Sequence, residues 1–187
     1  MAVRPETRRF TVDEYYRMAE AGILGPEDRV ELIDGEIVAM SPIGPPHGSI
    51  VDRLNKRLVI AVGDEAIVRI QGAVRLSDFS EPEPDVALLL PHPDAYSTAH
   101  PEPNDVLLLI EVSETSLAYD RGPKLSLYAR SGIREVWIVD VAGRRVEVHR
   151  GAQGDAYRGV SSAGPGDDLS PEALPQLTIA VQDILGS

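Results

Sequence analysis

An α/β fold, in which a mixed β-sheet is flanked by helices, is what this sequence predicts, on three observations. Val106–Ile110 is an unbroken apolar run, short enough for a strand buried on both faces, and it ends in Glu111 where the pattern expects another Leu or Val. Glu135–Asp140 is a second such run, again closed by a carboxylate. Between them lies a helical stretch, so the three form a βαβ-like unit. At 187 residues the chain is most simply one domain spanning 1–187, with room for a sizeable core.

The elements follow in order. Thr11 and Glu14 have capping-box spacing, which predicts a helix from about Val12 to Ala21. Val30–Ile33 and Glu36–Met40 flank Asp34-Gly35, a strong two-residue hairpin signal. Pro and Gly break the chain across Ser41–Gly48. A helix from about His47 to Val62 follows, with Ile50, Leu54, Leu58 and Ala61 on one face. Ala66–Leu76 alternates like a strand, and Gln71-Gly72 marks a bend or bulge within it.

Pro84–Leu90 reads as another buried strand. Pro91–Asn104 holds four prolines and two His, a loop long enough for a lid or a contact surface. After the apolar run at Val106, Ser113–Asp120 is a polar connection. Pro123 behind Gly122 then offers a first helical residue, and Gly132 closes that helix. Arg144–His149 and Ala156–Val160 pair through Gly151–Gly154, giving a C-terminal hairpin to match the N-terminal one. Ser161–Asp168 reads as a flexible link, and Leu174–Leu185 as a short edge strand with a final helical turn. No internal repeat interrupts this order.

Composition narrows the function. With 43% hydrophobic and 26% charged residues the chain is ordinary for a globular protein. It has no run of membrane-spanning length and no apolar segment in MAVRPETRRF, so a cytoplasmic protein is expected. The absence of Cys excludes disulfides and thiolate metal sites. A formal charge of −12 argues against nonspecific coating of nucleic acid.

Residues 121–150 nevertheless carry seven Arg or Lys against three acids, which reads equally as a local basic face or as a solvated helix surface. Only Lys56 and Lys124 among the 18 basic residues are Lys, so an amine in the central unit stands out.

Chemistry concentrates where two strands end. If Pro84–Leu90 and Val106–Glu111 pair antiparallel with Leu90 opposite Val106, the residue numbers of each pair sum to 196, and Asp85 faces Glu111. Opposed Cβ atoms lie roughly 4.5–5.5 Å apart, so two like charges there need a cation or proton between them. Oxygen donors of this kind suit Mg²⁺, with Mn²⁺ as its substitute. Lys124, read as starting the next helix, is expected to have a pKa lowered by burial and by the helix dipole. Such an amine can orient or deprotonate a water, or neutralise a developing oxyanion. The bland alternatives are Asp85 as a turn residue and Glu111 in a structural ion pair.

Pro84-Asp85, Glu111-Val112-x-Ser113, Asp120-x-x-x-Lys124-x-x-x-Tyr128 and Gly132-Ile133-Arg134-Glu135-x-Trp137-Ile138-Val139-Asp140 together resemble the Uma-type family of restriction-endonuclease-like proteins, within the PD-(D/E)XK nuclease superfamily. The likeness extends to Glu31-Leu32-Ile33-Asp34-Gly35-Glu36 and His47, and covers nearly the whole chain. It implies a restriction-endonuclease-like sheet and a Mg²⁺-type centre, with Asp85 and Glu111 as the metal-binding acids and the Val112 carbonyl as a further ligand. One departure stands out. The superfamily pattern puts Lys two residues after the second acid, where this chain has Ser113, so the amine comes from Lys124 on the helix.

Glu31 resembles the family's early acid or is a hairpin surface residue. Gln71 reaches the site or merely marks a bend, and Tyr128 is core packing or a phosphate contact. His47 reads as a cap or surface His rather than a base. His92, His100 and His149 lack metal-ligand spacing, Asp140 anchors a strand end, and Trp137 belongs to the core.

The expectation is a cytoplasmic, Mg²⁺-dependent DNA endonuclease, most simply a homodimer because a duplex has two strands to cut. Two rivals remain, a nuclease fold kept as a binding module and a carboxylate-pair glycosidase. The second lacks an aromatic sugar platform and leaves Lys124 without a part.

Overall fold

The computed structural model describes residues 7–186. Its centre is a six-stranded mixed sheet of strand order β3-β4-β5-β6-β7-β8, comprising Ile67–Ile70, Val86–Leu89, Val106–Ser113, Glu135–Asp140, Arg145–Gln153 and Ala156–Ala163. All neighbours are antiparallel except β5 and β6, which run parallel because a helical crossover joins them. The expected α/β architecture, a mixed sheet with helices on it, is therefore present.

Each face of the sheet has its own core. On one, α2 (Pro45–Val62) lays Ile50, Val51, Leu54, Leu58 and Val62 against Val86, Leu88, Leu108, Ile110 and Trp137. Ala61, expected on that stripe, is exposed, and Val51 and Val62 take its place. On the other face, Tyr128, Ala129 and Ile133 cover Ala87, Leu89, Leu109, Val136 and Ile138. Among the described residues no helix is long and apolar enough to cross a membrane.

At the N-terminal end α1 (Val12–Glu20) carries the anticipated capping box, with Thr11 and Glu14 exchanging bonds. The hairpin of β1 (Val30–Ile33) and β2 (Glu36–Ala39) turns through Asp34 and Gly35 at φ 51° and 77°, as a primed two-residue turn requires. A Cβ on Gly35 would meet Arg9 Cβ at 2.5 Å, so the turn also needs Gly for space.

Several expected boundaries differ. The strand expected over Ala66–Leu76 ends at Ile70, because Gln71 adopts φ 46° and turns the chain out of the sheet. Leu89, not Leu90, faces Val106: a one-residue shift near Leu88 and Leu89 ends the run of pairs summing to 196. The C-terminal hairpin is longer than expected. Gln153 pairs with Ala156, so its turn is Gly154-Asp155, and Ser161–Ala163 belong to β8 rather than to a link. The short strand β10 (Ile179–Ala180) pairs with β9 (Asp168–Leu169) ahead of the last helix, α5 (Val181–Leu185).

The largest difference lies in the crossover. Helix begins at Leu117, six residues before Pro123, and continues as α3 (Leu117–Tyr119), a wide π turn (Asp120–Lys124) and α4 (Leu125–Arg130). Pro123 is therefore interior. A proline there would clash with the carbonyl four residues back in a regular α-helix. In the wide turn the Leu125 N–H reaches the Asp120 carbonyl, five residues back, and the proline is accommodated.

Candidate active site

Neighbouring strand ends deliver the two acids. The pairs Val86–Ile110, Ala87–Leu109 and Leu88–Leu108 keep the expected register, and Asp85 and Glu111 each lie one residue beyond the first of them. Asp85 is tied to its neighbour strand directly, since the Val112 N–H donates to Asp85 Oδ2 at 2.8 Å. Its other oxygen faces His47 Nε2 at 3.0 Å and accepts from Gln71 Nε2 at 3.4 Å. The left-handed backbone at Gln71 that ends β3 also directs its N–H to the Asp85 carbonyl at 3.0 Å.

Glu111, only 3% exposed, accepts from the Tyr128 hydroxyl at 2.5 Å and lies 3.1 Å from Lys124 Nζ. Glu31 approaches the same ammonium at 3.2 Å and accepts from the Glu83 N–H at 3.1 Å. It is buried, so the surface-residue reading of Glu31 is set aside. Of the two readings of Tyr128, core packing holds for its ring, and its hydroxyl goes to Glu111, a contact neither reading anticipated.

At Ser113, where the superfamily pattern expects Lys, the hydroxyl donates to Asp120 Oδ2 at 2.6 Å, and Ser116 donates to the same oxygen at 2.5 Å. The amine enters from the helix instead, through Lys124.

Electrostatics follow from burial. Desolvation pushes the Glu111 carboxyl up to about 8, with Asp85 and Asp120 adding to the shift and Lys124 and the Tyr128 hydroxyl opposing it. For Lys124 burial works against the charge, but Glu111, Glu31, Asp120 and Asp85 outweigh it and hold the amine above the usual lysine range. The expected lowering of Lys124 is thus reversed. Two causes combine: the residue sits inside a helix rather than at its start, and four acids face it. An ammonium held charged in this way can orient a neighbour and neutralise negative charge.

Glu31, His47, Asp85, Glu111, Asp120 and Lys124 line one cleft of ≈ 470 Å³, together with Val38–Gly44. Some of its residues were not anticipated. Glu83 follows from the alternation Glu81-Pro82-Glu83-Pro84-Asp85, since an extended chain returns to the same side every second residue. Tyr119, Arg29 and Glu114 gave no comparable signal. His47, read as a cap or surface residue, instead lines the cleft, and the helix is capped by Gly44. Asp140 pairs with Arg121 and Arg145 away from the cleft, and Trp137 is fully buried, both as expected.

Among the described residues no three His, Cys, Asp or Glu side chains converge closely enough to hold an ion by themselves. Asp85, Glu111 and the Val112 carbonyl offer a smaller, all-oxygen set. It fits an ion that keeps several waters and takes its remaining ligands from a phosphate.

Comparisons with known proteins bear on the fold and the family. A solved structure described as "a putative nuclease belonging to DUF820", from Anabaena variabilis, superposes with a TM-score of 0.70 over 94% of this chain and 97% of that one, at 15% identity. At that identity the likeness speaks for the fold. No curated protein matches the chain in sequence. The family model Uma2, described as "Putative restriction endonuclease", matches residues 12–182. The chain belongs to the Uma2 family.

Proposed function

We propose that the protein is a Mg²⁺-dependent endonuclease that hydrolyses DNA phosphodiester bonds by in-line attack of water. The observation that carries this reading is the meeting of Asp85, Glu111 and Lys124 in one cleft, with Lys124 Nζ 3.1 Å from Glu111. A bound Mg²⁺ or Mn²⁺ would supply polarisation of the phosphoryl oxygens and a more acidic water.

Asp85, Glu111 and the Val112 carbonyl would hold that ion. Tyr128 keeps the Glu111 carboxylate in one orientation through its hydroxyl. Lys124, braced by Glu31, presents a permanent positive charge where the phosphoryl oxygens gain negative charge in the transition state. We take the enzyme to act in the cytoplasm as a homodimer, one centre for each strand of a duplex.

The test is cleavage of labelled plasmid and oligonucleotide DNA with Mg²⁺ or Mn²⁺, against a chelated control. Cleavage should need the ion and vanish in Asp85→Ala and Glu111→Ala, with circular dichroism unchanged. Wild-type protein that cuts neither DNA nor RNA with either ion refutes the activity.

A second reading has an observation of its own. Glu31, Glu83, Asp85, Glu111, Glu114 and Asp120 line the cleft of a chain whose net charge is −12, which repels a polyanion when no cation is bound. A nuclease fold retained as a binding module would show no Mn²⁺ uptake in titration calorimetry.

A further inference from the structure

We propose that His47 is a positioning residue for Asp85: its Nε2–H fixes the carboxylate in the rotation that leaves one lone pair facing the cleft. The inference rests on the functional reading above and adds to it a group from outside the two acid-bearing strands.

The Asp85 carboxylate is held at both ends. Oδ2 accepts from the Val112 N–H at 2.8 Å, a backbone donor that cannot move without disturbing β5. Oδ1 has two neighbours, His47 Nε2 at 3.0 Å and Gln71 Nε2 at 3.4 Å. The His47 contact is the shorter, at ion-pair distance, and it adds to the longer Gln71 hydrogen bond in limiting rotation about Cβ–Cγ. The His47 and Asp85 side chains are 12% and 14% exposed, so water competes little for this contact.

The backbone explains how the ring is aimed. Pro45 and Pro46 occupy the first two positions of α2, where their missing N–H groups cost nothing and their fixed φ sets the first turn. His47 comes next, and helical side chains lean toward the N-terminus, here toward the cleft. Ile50, Val51, Leu54 and Leu58 lock the helix to the sheet, which makes His47 a rigid arm.

Nδ1 of the same ring is buried and has no hydrogen-bond partner among the described residues. The imidazole therefore neither caps α2 nor ties down another loop. Its one polar contact is Asp85. A donor that orients a metal-binding carboxylate typically affects metal affinity about 10–100-fold.

The experiment compares wild type, His47→Ala and His47→Gln, since a glutamine amide can replace the Nε2 donor. Mn²⁺ affinity is measured by titration calorimetry at one pH, alongside thermal melting. Alanine should weaken Mn²⁺ binding about 10–100-fold, and glutamine should recover most of the loss. Nitrogen-15 spectra of the metal-free protein should show the His47 proton on Nε2, with its protection from exchange lost in Asp85→Ala.

Alanine binding Mn²⁺ as wild type does, glutamine failing as badly as alanine, or a proton on Nδ1 alone would each overturn the inference while leaving the nuclease reading in place. A wild type that takes up no Mn²⁺ overturns both, and the nitrogen spectra then show whether the contact itself exists.

Discussion

Lys124 sets the largest energetic stake carried by a single residue. Its ammonium is 3.2 Å from Glu31 and 3.1 Å from Glu111, and all three side chains are almost completely buried. Removing one partner of such a cluster leaves buried charge without its nearest counterion. Lys124→Met should therefore cost about 3–5 kcal/mol of stability at pH 9, where Glu111 is ionised, and adding Glu111→Gln should restore part of it. Urea denaturation of the single and double variants measures both.

Glu111 gives the pH dependence. Its folded-state pKa, about 8, lies above the ordinary value of 4.5, so the folded chain binds a proton that the unfolded chain has already released. Stability from this group is complete below about 4.5 and is lost as pH rises to about 8, by at most about 1.4 kcal/mol per pH unit. In chelator, stability should fall over that window and then level off. Glu111→Gln should remove the fall, and a slope that survives the substitution would show that another group causes it.

The elements show what a sequence can and cannot disclose. Asp85 and Glu111 were legible because each adjoins a short apolar run, and the sum of 196 holds for the central pairs although Leu89 and not Leu90 faces Val106. The Asp34-Gly35 hairpin was legible because its dihedral angles admit few residues. His47 was not, because its role depends on where the start of α2 sits beside the end of another strand. The crossover misled for a different reason. Pro123 is a good first helical residue, and nothing local reveals a wide turn that tolerates it inside a helix.

That turn has a consequence for Lys124. One residue more than a regular helix needs is inserted at Asp120–Lys124, and each residue rotates the helix by about 100°. Deleting Gly122 together with Pro123→Ala, which removes the ring that a regular helix cannot hold, should restore an ordinary helix and swing Lys124 off Glu111. Helix content by circular dichroism should hold while divalent-dependent cleavage falls at least about 100-fold. Retained cleavage would mean that the wide turn does not aim the amine.

At the scale of the whole molecule the question is how a chain of net charge −12 approaches a polyanion. Among the described residues, most of the basic side chains in the segment 121–150 are paired with acids within the fold, Arg134 and Arg144 excepted. Arg121 and Arg145 pair with Asp140 and Glu147, Arg130 with Asp34, and Arg150 with Glu135, while Lys124 is buried. Much of this charge joins elements of the fold to one another. Around the cleft itself the cations are few: Arg29 on its wall, and Arg53 and Lys56 along the adjoining groove beside Ile43 and Gly44.

A protein that neutralises many phosphates loses affinity steeply with salt, with a slope of about −0.9 for each phosphate contact on duplex DNA. Three basic side chains can account for a slope of only about −3 by that rule. On the proposed reading a divalent ion would then supply much of the attraction. Fluorescence anisotropy with Ca²⁺ in place of Mg²⁺ should accordingly show DNA binding that disappears in chelator and weakens only gently as NaCl rises. A steep slope, or tight binding without a divalent ion, would place the contact surface elsewhere on the molecule and leave the acidic cleft without a part in holding the substrate.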